Sequence, residues 1–178
     1  KRPTPVLNIL ENISLKKLST FGIEAKVRYF VEVSGIEELR DLLSNNTFKN
    51  TPKLILGGGS NILFTHDFEG IVIQNKIKGI EKIREDENFV YIRSGAGEVW
   101  HPFVQYCIDQ NYAGLENLSL IPGNVGAAPM QNIGAYGVEL KDVFYELEAL
   151  EIGSGERKIF LKEDCQFAYR SSVFKTIY

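Results

Sequence analysis

The sequence Ile121-Pro-Gly-Asn-Val-Gly-Ala-Ala-Pro-Met-Gln-Asn-Ile-Gly-Ala-Tyr-Gly137 contains four glycines and three alanines, and none of its side chains is charged. Glycine loses more conformational entropy on folding than any other residue, so a cluster of glycines needs a reason. The usual reasons are turns with positive φ, or a backbone that lies close against another group. Long small-residue loops inside a domain are more often functional than idle. The stretch therefore predicts a ligand that is held mainly by the main chain.

A second stretch of this kind, Gly57-Gly-Gly-Ser-Asn61, directly follows the apolar run Lys53–Leu56. If that run is a parallel strand, the glycines lie at its carboxyl end, where open α/β sheets bind ligands. The stretch is not a P-loop, since no Gly-Lys-Ser/Thr follows, and it lacks the G-x-G-x-x-G of the Rossmann fingerprint. A tight turn without a ligand is the alternative interpretation. Two such surfaces fit a dinucleotide whose pyrophosphate is bound by peptide N–H groups.

The composition is that of a globular protein, with 44% hydrophobic and 24% charged residues among 178, enough for a substantial core. The net charge of −3 gives no basic field for nucleic acid. No apolar run approaches the roughly 18 residues that span a bilayer, so no membrane insertion is predicted. Cys107 and Cys165 have apolar neighbours and no CxxC spacing, which predicts two buried, reduced thiols in a cytoplasmic protein.

The first part of the chain has the pattern of a β-α-β unit. Lys26–Val33 is rich in β-branched and aromatic residues, which predicts a strand, and Lys53–Leu56 predicts another. Between them Ser34 and Glu37 have capping-box spacing, and the apolar positions behind them follow a helical repeat. We expect the two strands to be parallel with a right-handed connection. Lys1–Leu18 predicts an extended arm or a short helix.

After Asn75 the pattern becomes mostly antiparallel. The predicted elements are strands at Ile71–Gln74, Ile77–Ile83 and Phe89–Arg93, a helix whose core face carries Trp100, Phe103, Val104, Cys107 and Ile108, and a hairpin of Val143–Ile152 with Arg157–Leu161. This change predicts an α+β fold with a small βαβ lobe and a larger antiparallel-sheet lobe with helices. We place an N-terminal arm at 1–14, the first lobe at 15–75 and the second at 76–178.

Other candidate residues carry weaker signals. Tyr136 could cover an aromatic ring or fill a gap in the core. Phe167 and Tyr169 alternate with Ala168 and Arg170 as in a strand, which would direct Arg170 to a cleft or to water, although a surface ion pair is the commoner role for such an arginine. The two histidines, His66 and His101, have no metal-ligand spacing, so no metal site is predicted.

Taken in order, these motifs resemble the UDP-N-acetylenolpyruvoylglucosamine reductases, bacterial flavoenzymes of peptidoglycan precursor synthesis. The motifs are Thr20-Phe-Gly22, Gly57–Asn61, Gly114-Leu-Glu-Asn117, Ile121-Pro-Gly123, Gln131-Asn-Ile-Gly-Ala-Tyr-Gly137 and Tyr169-Arg-Ser-Ser-Val-Phe-Lys175. Each motif is modest alone, whereas the ordered set is specific and covers nearly the whole chain. Pro129-Met-Gln-Asn132 is similar to the type I branch of the family.

The resemblance implies a two-lobed FAD-binding fold of the vanillyl-alcohol-oxidase (PCMH) type, with FAD bound and NADPH as the hydride donor. It implies reduction of the enolpyruvyl group of a UDP-sugar by a cytoplasmic monomer. The implied flavin-binding residues are Gly57, Gly58, Gly59, Ser60, Asn61, Ile121, Pro122, Gly123, Gly126, Ala127, Ala128, Gln131, Asn132, Gly134, Ala135, Tyr136 and Gly137. Arg170 takes the family's catalytic role of stabilising the developing enolate, and Tyr169 lies beside it on the substrate side.

The resemblance also implies a third, substrate-binding domain with a proton-donating serine and a carboxylate, which we expect to be absent from these 178 residues. The supplied chain would then be a catalytically incomplete FAD-binding portion. Two other classes stay open: a related flavin enzyme with a covalently attached flavin, which needs a His or Cys at the ring, and a nucleotide-binding module without enzymatic activity.

Overall fold

The structure, a computed structural model, describes residues 7–176. In this range the strands are β1 (Leu10–Ser14), β2 (Lys26–Val33), β3 (Lys53–Leu56), β4 (Phe68–Asn75), β5 (Ile80–Glu85), β6 (Val90–Ser94), β7 (Gly134–Ala135), β8 (Val138–Glu139), β9 (Glu146–Leu150) and β10 (Arg157–Leu161). The α-helices are α1 (Ile36–Ser44), α2 (Trp100–Asp109), α3 (Leu140–Val143) and α4 (Val173–Thr176). Short 3₁₀ helices occupy Lys16–Leu18, Asn46–Phe48, Glu116–Leu118 and Val125–Gln131. The contacts divide the chain into two compact units, so the predicted α+β class is confirmed.

Unit 1 comprises the chain up to Ile77 together with Leu150–Glu156. Its four-stranded sheet has the order β1-β2-β4-β3, with β1 antiparallel to β2 and with β4 parallel to both of its neighbours. Successive β4 residues point to opposite faces of the sheet, and Ile71, Val72 and Ile73 are all fully buried. A strand that is apolar on both faces needs cover on both, as parallel strands usually have. Val72 packs with Leu15, Phe30 and Phe64, while Ile71 and Ile73 pack with Leu42 and Phe48.

Several predictions for unit 1 are confirmed and two need correction. The strands Lys26–Val33 and Lys53–Leu56 have the predicted bounds, and they are parallel, although β4 lies between them. The capping box of Ser34 and Glu37 is wrong. The helix N-cap is Gly35 without a side-chain bond, and Glu38, one residue further along, accepts a hydrogen bond from the Ser34 N–H at 2.7 Å instead.

The N-terminal arm is more ordered than the sequence suggests. Leu10–Ser14, predicted as part of an extended arm or a short helix, forms edge strand β1 against β2. Hydrogen bonding to a neighbouring strand is a tertiary effect, so the local pattern could not indicate it. The first six residues of that predicted arm lie outside the described range.

Unit 2 comprises Lys78–Ala149 and the chain from Arg157 onward. It holds the β5–β6 and β9–β10 two-stranded sheets and helix α2. Its core joins the buried face of α2 to the second glycine-rich stretch and contains Trp100, Phe103, Val104, Cys107, Leu118, Ala128, Ile133 and Leu140. Ile108, predicted to face this core, is exposed because it lies in the last turn of the helix. Among residues 7–176, no helix is both long and apolar enough to cross a membrane.

Candidate functional site

The first glycine-rich loop, Gly57–Asn61, begins where β3 ends. Because β3 and β4 are parallel, this loop lies at the carboxyl edge of the pair, which is the edge where open sheets bind ligands. Gln74, near the end of β4, lies beneath it and directs its Nε2 toward the Gly57 carbonyl at 3.5 Å. The sheet therefore presents the loop at one edge of unit 1.

Gly59 explains why this loop needs glycine. Its φ is +66°, and a Cβ added there would lie 1.8 Å from the Leu18 carbonyl oxygen. The Gly59 carbonyl also accepts a hydrogen bond from the Thr20 N–H at 3.0 Å. The close approach is thus to the protein's own backbone, and it fastens the Thr20–Gly22 segment to the loop.

The backbone N–H groups of this loop are free for a ligand. Within the described part of the chain, the N–H groups of Gly58, Gly59, Ser60 and Asn61 donate no hydrogen bond. The Ser60 and Asn61 side chains likewise bond nothing there. Consecutive unpaired N–H groups in a turn form a concave site for an anion such as a pyrophosphate. The loop fits the phosphate portion of a dinucleotide.

The second glycine-rich stretch, Ile121–Gly137, is folded against unit 2 itself. Gly123 O accepts from Trp100 N–H at 2.9 Å, and Val125 N–H donates to Glu98 O at 2.9 Å. Gly126 N–H donates to Ala96 O at 2.9 Å, and a Cβ at Gly126 would lie 2.6 Å from the Ala96 Cβ. The 3₁₀ helix Val125–Gln131 that follows leaves Ala127 exposed and Ala128 in the core.

Asn132 joins three segments of unit 2. It is 0% exposed and has a left-handed backbone with φ 46°. Its Oδ1 accepts from the Lys141 N–H at 3.0 Å, and its Nδ2 donates to the Ala168 carbonyl at 3.1 Å. The structure thus gives this predicted cofactor-binding residue an internal bracing role.

Two aromatic or apolar side chains of this stretch and its approach are strongly exposed. Gly134–Ala135 and Val138–Glu139 pair as a hairpin whose two turn residues, Tyr136 and Gly137, both have positive φ, as in a type I′ turn. Tyr136 is 88% exposed, so it does not fill a gap in the core. Leu120, just before the stretch, is 76% exposed. Exposed apolar groups beside a backbone-rich loop suit contact with a planar ring.

The Tyr169-Arg170 segment is a turn and not the predicted strand. Ala168 and Ser171 exchange backbone hydrogen bonds at 3.0 and 3.1 Å, and Arg170 has φ 53°. Tyr169 lies at the tip and is 84% exposed, so it does not face the core. The alternating pattern was misleading because a two-residue turn also reverses side-chain directions. Arg170 is exposed, and among residues 7–176 its side chain forms no ion pair.

Electrostatics separate reactive from structural groups. The Gly79 N–H bonds Glu98 Oε1 at 2.8 Å, and together with Lys78 this lowers the pKa of the Glu98 carboxyl. Burial raises the thiol pKa of Cys107 and Cys165 to about 11, so both are poor nucleophiles near neutral pH. Among residues 7–176, no group of three His, Cys, Asp or Glu residues is placed to hold a metal ion.

The structure adds supporting residues that the sequence did not assign to the site. Ala96 carries the Gly126 contact, and the small-residue run Ser94-Gly-Ala-Gly97 is the signal that could have indicated it. His101 Nδ1 accepts from the Leu120 N–H at 3.2 Å. Lys175 Nζ donates to the Arg170 carbonyl at 3.2 Å. No local pattern marks the last two, because each contact bridges residues that come together only in the fold.

The comparisons with known proteins agree with these motifs. The model of a family described as FAD binding domain matches residues 27–159. UDP-N-acetylenolpyruvoylglucosamine reductases of Amoebophilus asiaticus and Flavobacterium johnsoniae are 56% and 53% identical to this chain, over 96% and 95% of its length. The crystal structure of the reductase (MurB) from Thermus caldophilus matches with a TM-score of 0.74 and 25% identity, over 94% of this chain and 57% of that one. The resemblance to this family is confirmed.

The chain spans about half the length of the curated relatives it matches, 50% in both of the cases above. The similarity therefore concerns one portion of those proteins.

Proposed function

The chain belongs to the FAD binding domain family, and we propose that it is the FAD-holding portion of a UDP-N-acetylenolpyruvoylglucosamine reductase. The observation that carries this proposal is the run of unpaired backbone N–H groups at Gly58–Asn61, at the carboxyl edge of a parallel sheet. A chain that also matches reductases of that name at more than half of its positions is best explained by the same cofactor.

The Gly57–Asn61 loop would hold the pyrophosphate of FAD. Free N–H groups can bond phosphate oxygens without a charged side chain. Ser60 and Asn61 would add hydroxyl and amide groups to the same contact. No lysine or arginine is needed in the loop, and none is present.

The Ile121–Gly137 stretch would contact the ring portion of the cofactor. Ile121, Pro122 and Gly123 follow the exposed Leu120, and the exposed Tyr136 lies at the hairpin tip. The remaining residues proposed for this contact are Gly126, Ala127, Ala128, Gln131, Asn132, Gly134, Ala135 and Gly137. The convergence of the two glycine-rich segments on a single FAD is part of the proposal.

Arg170 would stabilise negative charge on the substrate. Bound FAD would supply hydride transfer from NADPH to the enolpyruvyl group of a UDP-sugar, which develops enolate charge. An exposed guanidinium without an ion pair is available for that charge and for a substrate carboxylate. Tyr169, at the tip of the same turn, would lie on the substrate side. The required proton donor is not assigned to any residue here, so we propose this activity for the complete gene product, acting as a cytoplasmic monomer.

Thermal unfolding with and without FAD tests cofactor binding. Ligand at about 100 times Kd stabilises a protein by about 2.7 kcal/mol, which for a domain of this size raises Tm by roughly 5–10 °C. We expect that shift with FAD and a bound flavin absorbance spectrum after gel filtration. Riboflavin, which lacks the pyrophosphate, should give a much smaller shift because it cannot use the Gly58–Asn61 N–H groups.

An unchanged Tm at saturating FAD would contradict the proposal. An equal shift with riboflavin would contradict the role of the first loop while leaving flavin binding intact. Flavin that stays with acid-precipitated protein would instead favour the covalent class of flavin enzymes.

A further inference from the structure

Arg170 has a backbone conformation that an arginine rarely adopts. Its φ of 53° lies in the left-handed region, where a residue with a Cβ loses roughly 1–2 kcal/mol relative to the right-handed conformation. Such strain persists only where surrounding contacts determine it, and it concentrates at functional sites. The contacts that hold this turn are therefore part of what makes Arg170 available.

The turn is held at both of its ends. On one side, buried Asn132 donates from Nδ2 to the Ala168 carbonyl at 3.1 Å. On the other side, Lys175 donates from Nζ to the carbonyl of Arg170 itself at 3.2 Å. Ser172 Oγ bonds the Met130 carbonyl at 2.8 Å, which fixes the chain between the turn and helix α4. Only the lysine bond acts directly on the strained residue.

We infer that Lys175 is a positioning residue for Arg170. Its ammonium bonds the Arg170 carbonyl and so holds the left-handed conformation, which sets the direction in which the guanidinium leaves the turn. A charged donor to a carbonyl makes a stronger bond than a neutral one, and it offsets part of the backbone strain. Without it, Arg170 can relax to an unstrained φ, and the Ser171 N–H to Ala168 O bond of 3.1 Å is weakened. This inference rests on the proposed role of Arg170.

Three substitutions at Lys175 separate its possible contributions. Lys175→Met removes the donor and keeps most of the apolar stem, Lys175→Gln keeps a neutral donor, and Lys175→Arg keeps a charged one. Lys162→Met is a matched control, because Lys162 is exposed and has no hydrogen bond or ion pair within residues 7–176. The complete gene product, loaded with FAD, is the protein to test.

We expect Lys175→Met to lower kcat by about 10- to 100-fold, the size of effect that misplacing a reacting group by about 1 Å produces. Bound FAD and Tm should stay near the wild-type values. Lys175→Arg should recover most of the lost rate and Lys175→Gln an intermediate share, while Lys162→Met should leave kcat unchanged. Amide hydrogen exchange at Ser171 should accelerate in the methionine variant and return to the wild-type rate in the arginine variant.

The double variant Arg170→Ala/Lys175→Met is the decisive measurement. If Lys175 acts only through Arg170, the double variant turns over no more slowly than Arg170→Ala alone, which we expect to lose about 10²–10³ in kcat. Additive losses, or a wild-type rate for Lys175→Met, would overturn the inference and leave the role of Arg170 standing. A wild-type rate for Arg170→Ala would instead overturn the proposed function.

Discussion

In the first glycine-rich loop the N–H groups of Gly58–Asn61 bond nothing within residues 7–176, whereas in the second stretch those of Val125, Gly126 and Ala127 all donate to the protein itself. The first is an open row of donors at a sheet edge. The second is packed on Ala96–Glu98 and on helix α2, and it displays Tyr136 at its tip. Glycine content is similar in both, so composition alone does not separate them.

The difference teaches that the same residue type serves two kinds of construction. Both Gly59 and Gly126 lie so close to protein atoms that a Cβ would collide. Neither close approach is to a ligand. What distinguishes the loops is the fate of the N–H groups, since unpaired donors are available for an anion and paired ones stabilise the fold. We therefore expect the first loop to determine phosphate contact and the second to determine ring contact and the placement of its neighbours.

The largest expected effect comes from Gly59→Ala. Its Cβ would lie 1.8 Å from Leu18 O, so the loop or the Leu18 segment must move, at a cost of about 3 kcal/mol or more. Gly22→Ala is the matched control, because Gly22 has a similar φ of +62° and nothing within 4 Å of its Cβ. It should cost only about 1 kcal/mol. Urea unfolding measures both, and FAD titration should show lost affinity in Gly59→Ala.

If Gly59→Ala were no less stable than Gly22→Ala, the loop would not be fastened to Leu18 as described. If it were unstable but bound FAD normally, the first loop would not be the phosphate site.

A smaller effect is expected from Gly126→Ala in the second stretch. The new Cβ would meet the Ala96 Cβ at 2.6 Å, and overpacking of this kind destabilises by about 1–3 kcal/mol. Because the contact is between two side-chain atoms, Ala96→Gly in the same chain should restore at least half of the loss. The coupling energy from the four unfolding curves measures this. Purely additive losses would show that Gly126 is needed for another reason.

Much of the fold could be read from local pattern. Strands β2 and β3 were predicted with their observed bounds because β-branched and aromatic runs between turn residues are unambiguous there. The insertion of β4 between them could not be predicted, since strand order depends on which edges meet in three dimensions. The same holds for β1, whose sequence Leu-Glu-Asn-Ile-Ser has no clear strand pattern.

The site was predicted at the level of segments and missed at the level of contacts. The small-residue stretches marked both loops, but the turn at Tyr169-Arg170 was mistaken for a strand, because left-handed φ at an arginine has no sequence signal. Asn132 was assigned to the ligand, whereas its buried amide bonds two other segments. Polar residues in a glycine-rich loop do not reveal whether they face outward or brace the loop from behind.

The smallest expected effect tests the bracing of the second stretch by charge. Glu98 accepts from the Gly79 N–H at 2.8 Å and from Lys78 at 3.3 Å, while its own carbonyl accepts from Val125. Its folded-state pKa is lowered, so the stability that it adds is present above its unfolded pKa and is lost as the pH falls through the folded pKa. Glu98→Gln keeps an acceptor without the charge and should cost about 1 kcal/mol at pH 7.

The pH dependence decides whether charge is the cause. The gap between wild type and Glu98→Gln should close as the pH is lowered into the range where both side chains are neutral, when unfolding is followed from pH 7 to pH 3. Glu81→Gln is the control, since Glu81 is exposed and its pair with Arg93 is long, at 4.0 Å, so its effect should stay within about 0.5 kcal/mol. A gap for Glu98→Gln that persisted at low pH would mean that the glutamine disturbs packing, and the charge would then contribute little to holding the second stretch.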